Sequence, residues 1–157
     1  MMNRTLVTSA VLVAATAFVA AGCGGGGGGG GDKQLTKAAY AAKADAACAA
    51  AQKKGAGLDL SSTEKIAANG DKAKKVLDDL ANDIDDLQPP DALKDSANSF
   101  VTGLKKEASD FGDITQAAKD SNEAKIKNIQ GTLQSESAAT SEDARFLGAT
   151  GCARLFG

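Results

Sequence analysis

From Leu35 onward the apolar residues recur every three to four positions, and no stretch alternates apolar with polar long enough to predict a strand. Four helical segments follow from that spacing. The first spans about Thr36 to Lys53, with Thr36 as its N-cap, Leu35 and Tyr40 placed as a hydrophobic staple, and Gly55 and Gly57 closing it. Its face is alanine (Ala44, Ala47, Ala51), which permits close backbone approach and buries little area. The second runs from about Ser62 to Leu87, opened by a Ser61/Glu64 capping box and stopped by Pro89-Pro90. Its stripe is Ala73, Val76, Leu77, Leu80, Ile84 and Leu87, with Gly70 weakening the first half.

The third segment starts near Pro90, a residue suited to a first turn, with Asp91 placed favourably against the helix dipole. Leu93, Ala97, Phe100, Leu104, Phe111 and Ala118 fall on one line at about 100° per residue. The fourth spans about Asn122 to Leu147, with the stripe Ile126, Ile129, Leu133, Ser137, Thr140, Ala144 and Leu147. Ser137 and Thr140 interrupt it as small interface residues whose hydroxyls bond back to the preceding turn, or as the lining of a small pocket. The fold class expected is therefore all-α: a small antiparallel bundle of about four helices. Its core is thin. Leu, Ile, Val and Phe number 22 from residue 32 onward, a fraction that with high net charge would predict disorder. Low net charge, abundant alanine and regular spacing predict a folded domain instead.

The chain before that domain has a different character. Met1 to Arg4 is short and positive, Leu6 to Ala21 is apolar, and small residues follow. The apolar stretch is shorter than the roughly 20 residues a spanning helix needs, so it reads as a signal segment. The run Ala20-Ala21-Gly22-Cys23 resembles the lipobox of bacterial lipoproteins, with Ala20 where that motif usually has leucine. The resemblance implies diacylglycerol on the Cys23 thiol, cleavage after Gly22, and acylation of the new amino group. The other reading is an ordinary secretory signal cut after Ala21. Gly24 to Gly31 is eight consecutive glycines, a tether with a random-coil reach of about 16 Å. The organisation expected is a signal peptide over 1–22, the lipidated cysteine and tether over 23–34, and a helical domain over 35–157.

Three cysteines leave one over in an exported chain. With lipid on Cys23, Cys48 and Cys152 remain to pair as a disulfide tying the first element to the last; two separate buried thiols are the alternative. A simple up-and-down bundle would place Cys48 about 18 Å along the first helix from the end of the fourth. The tail would then have to fold back through Gly148 and Gly151, or the fourth helix end early, or the first pack off-axis. The Ala-rich first helix carrying Cys48, with Cys152 near the C-terminus, resembles small lipoproteins of high-GC Gram-positive bacteria. That likeness brings no functional residues with it.

Composition narrows the chemistry. The chain has no His and no Trp, and beyond residue 2 no Met, which removes Ser-His-Asp and Cys-His nucleophiles, His-based metal sites and the usual haem ligands. Tyr40 is a staple residue rather than a haem ligand. Beyond the signal segment 17 basic residues face 20 acidic ones, too mild a balance for a nucleic-acid partner. Asp78, Asp79, Asp83, Asp85 and Asp86 crowd the end of the second helix, where they oppose the macrodipole. They read as a solvated face, or as an acidic patch for a cation or a basic partner. No catalytic residue, metal ligand or cofactor is expected.

Three function classes stand at this point. The first is a non-enzymatic lipoprotein domain held to the outer face of the bacterial membrane through acylated Cys23, acting by contact with an envelope protein. The second is a carrier for a small apolar ligand, in a groove lined by Phe100, Phe111, Ile129 and Leu133. The third is a carboxylate-based enzyme. An open cavity separates the second from the first.

Overall fold

The computed structural model describes residues 34–157; the signal segment, Cys23 and the octaglycine run lie outside the described residues. Five α-helices follow in order: α1 (Lys37–Gly55), α2 (Thr63–Asp85), α3 (Lys94–Lys119), α4 (Glu123–Leu147) and α5 (Thr150–Phe156). A 3-10 turn at Asp91–Leu93 leads into α3, and no strand occurs among the described residues. A bundle of helices stapled by a disulfide is the architecture, with one helix more than the sequence predicts.

The helix starts are set locally. Thr36 Oγ1 accepts from the Ala39 amide, capping α1, and Leu35 packs on the core cluster that contains Tyr40. The α2 cap sits one residue beyond its predicted place. Ser62, not Ser61, accepts from the Lys65 amide and donates to Glu64, while Ser61 is held in a turn by Asp59. That turn competes for Ser61 and moves the helix start. Asn122 caps α4 through the Lys125 amide.

Helices α2, α3 and α4 are long, at 23, 26 and 25 residues, and pack side by side. Helix α1 is only 19 residues. Its start lies at the α2 end, where the Leu35 amide donates to the Gln88 carbonyl, and it runs back along α2. Two glycines set how closely the long helices approach. A Cβ on Gly70 would lie 1.9 Å from Thr115 Oγ1, and one on Gly103 would lie 2.7 Å from Thr140 Oγ1. Gly70 therefore brings α2 and α3 together, a role opposite to the weakening its helix propensity predicts.

At the end of α4, Gly148 adopts φ 84°, and the Ala149 and Gly148 amides donate to the carbonyls of Ala144 and Arg145. This left-handed stop reverses the chain. Helix α5 then runs back along α4, where Ser141 Oγ donates to the Ala153 carbonyl, and parallel to α1. Asp45 of α1 accepts from the Gly151 and Cys152 amides at 2.7 and 3.0 Å, capping a helix whose own N-cap, Ala149, has no side chain to do so. Cys48 and Cys152 are joined, with Cα atoms 5.2 Å apart. The distance problem of a simple four-helix bundle is thus solved by the folded-back tail.

Two buried clusters result. The larger one joins α1, α5, the end of α2, the start of α3 and the end of α4 around Tyr40, Leu80, Ile84, Phe100, Leu104 and Leu147. The smaller one, around Ile114, Ala117, Ala118 and Ile126, belongs to the three long helices alone.

Candidate functional site

Between the two clusters lies an open groove of about 560 Å³. Its position follows from helix lengths. Helix α1 ends beside the middle of α2, so its last turn (Ala51, Gln52, Gly55) and the following segment (Ala56, Leu58, Leu60) form one wall. Ala73, Val76, Leu77 and Leu80 of α2 form the opposite wall, Leu155 and Phe156 of α5 close one end, and Phe111 and Glu107 of α3 with Ser137 of α4 complete the lining. Val76 and Leu77 belong to the predicted core stripe, yet both stay half-buried because they face this space.

Among the described residues Glu107 is the one ionisable group in the lining, and it is 2% exposed. Burial holds its carboxyl above the ordinary range, and the negative charges of Glu136 and Asp110 push the same way. The hydroxyls of Thr140 and Ser137 lie beside the carboxyl and favour its charged form. Neither meets Glu107 Oε1 with hydrogen-bonding geometry, so Oε1 and the buried Thr140 Oγ1 are both without a partner among the described residues. Thr140 thus makes no back-bond to its own helix; it packs on Gly103. Among the described residues no cation pairs with Glu107. Lys106, next to it in sequence, points to Asp110 and Glu136.

Of the residues predicted to line a ligand groove, Phe111 does so. Phe100 is fully buried instead, packed edge-on against Phe156 at 6.5 Å, and Ile129 and Leu133 lie half-buried against the smaller cluster. Ser137 lines the groove, as the pocket reading of that residue expects. Leu58, Leu60, Leu155, Phe156 and Glu107 were not anticipated. Glu107 had a signal: it stands three residues after Leu104 and four before Phe111, inside the apolar line of α3.

The acidic residues of α2 are in part neutralised. Asp78 pairs with Lys74, Asp79 with Lys75 at 2.8 Å and Lys54 at 3.8 Å, and Asp85 with Lys105 of α3 at 2.8 Å. The Lys75 contact holds the Asp79 carboxyl below its ordinary range. Asp83 and Asp86 are exposed and form no ion pair among the described residues. No three acidic or cysteine side chains converge as metal ligands among the described residues, and no described helix is long and apolar enough to cross a membrane. Comparison with family models, with curated proteins and with solved structures returns no match.

Proposed function

We propose that this chain is an exported, lipid-anchored protein whose helical domain binds a small apolar molecule in the groove between its two cores, by binding and without catalysis. The observation that carries the reading is the groove itself: about 560 Å³, open, and lined by leucine, valine, alanine and phenylalanine with few polar groups. That size and chemistry suit a small-molecule site. It moves the balance from contact with an envelope protein, the first expectation, to ligand carriage. Anchoring is supported by Ala20-Ala21-Gly22-Cys23 and the glycine run after it. The Cys48–Cys152 bridge is consistent with an oxidising compartment.

Leu77→Trp, placed on the groove wall, tests ligand binding. The neutral fluorophore N-phenyl-1-naphthylamine should bind the wild-type chain with enhanced emission, and the bulkier side chain should weaken that binding about tenfold or more. Equal emission from both proteins, with unchanged circular dichroism, would remove the groove from the account. For the anchor, Cys23→Ser should shift the protein from the membrane to the soluble fraction. A wild-type mature mass without acyl chains would contradict that part independently.

A further inference from the structure

A buried carboxyl in an apolar groove is costly when charged and unpaired. Glu107 is in that position: 2% exposed, lining the groove, with Oε1 unpartnered among the described residues. The surroundings make a negative site. From α3 come Lys106 and Asp110, and from α4 comes Glu136, so one lysine faces three carboxyls. Lys106 is engaged with the two outer ones. On α2 the nearby Lys74 is paired with Asp78. Helices α1 and α5 present only uncharged residues to the groove, Gln52 being the most polar.

We infer that the groove selects an amphiphile with a basic nitrogen, whose apolar part lies along Leu77, Val76 and Phe111 and whose ammonium pairs with Glu107. This rests on the groove being a ligand site, and it names which ligands fit. An ammonium beside the Glu107 carboxyl supplies a donor and offsets the excess of carboxyls, forming a charge-assisted hydrogen bond at a buried acid. A carboxylate-headed amphiphile such as a fatty acid meets like charge at the same place. A neutral amphiphile gains the apolar contact alone.

Calorimetric titration of the full chain at pH 7 with octylamine, octan-1-ol and octanoate isolates the head group on a constant tail. Octylamine should bind about tenfold or more tightly than octan-1-ol, a difference of the size one charge-assisted hydrogen bond supplies, and octanoate should bind weakest. In Glu107→Gln, which keeps shape and removes charge, the advantage of octylamine over octan-1-ol measured on that same variant should fall to about twofold or less. Octan-1-ol binding wild type as tightly as octylamine overturns the cationic ligand and leaves the apolar groove standing. An amine advantage that survives Glu107→Gln overturns the role of Glu107. No binding by any of the three removes the groove reading together with this inference.

Discussion

Glu107 is a buried carboxyl in the lining of the groove. Its carboxyl is held above the ordinary 4.5, first by burial. A raised folded-state pKa means the native state favours the protonated form. The stability this residue contributes is complete below about 4.5 and is lost as pH rises through the folded value. Glu107→Gln has no such loss, so its melting temperature should exceed that of wild type by an amount that grows from pH 4.5 upward and then levels off. Parallel melting curves across pH 4 to 8 would show that Glu107 does not titrate in a dry site. The residue was legible in the sequence as a charge within the α3 apolar line. Its exposure to a groove was not, because periodicity gives the face a residue occupies and not what lies opposite. Thr140 shows the same limit: its place on the stripe was readable, and its lack of a backbone partner was not.

Helix existence and order were readable at the scale of the element, because four long segments carry caps, stops and apolar stripes. The errors lie where a neighbouring contact outweighs local preference. Ser61 matches a capping box on spacing alone, yet Asp59 binds it and Ser62 becomes the cap. Ser62→Ala should therefore cost about 1 kcal/mol and Ser61→Ala clearly less, as measured by chemical denaturation. Gly70 and Gly103 look like weak helix positions, and their value lies in what approaches them. Gly103→Ala should destabilise by about 1–3 kcal/mol through the contact with Thr140, and Thr140→Ala in the same chain should recover most of it. Full cost in the double variant would show that the close approach is not the reason for glycine. Helix α5 escaped the periodicity altogether, since it has seven residues and takes its cap from Asp45 on another helix.

For the whole molecule, one mismatch organises the rest. Three long helices form a platform, and α1 with α5 covers only part of it, so the apolar face divides into a closed core and an open groove. The disulfide holds that cover in place across a sequence separation of 104. In the chain-entropy account such a loop is worth about 4.7 kcal/mol, large for a domain with only 22 Leu, Ile, Val and Phe residues from residue 32 onward, not all of them buried. The doubly substituted Cys48→Ala/Cys152→Ala chain should lose several kcal/mol and with it the α1–α5 wall of the groove. The sequence indicated the pairing through cysteine arithmetic, while the turn at Gly148 that makes it geometrically possible needed the structure.

The central claim, that the space between the two cores receives an apolar molecule, is tested most directly by mapping where such a molecule binds. Octan-1-ol titrated into the isotope-labelled full chain and followed by nuclear magnetic resonance should shift the signals of Val76, Leu77, Phe111, Ser137 and Leu155, while those of Ile114, Ala117 and Ile126 stay nearly fixed. Saturable shifts centred on the second group, or no saturable shifts at all, would contradict it.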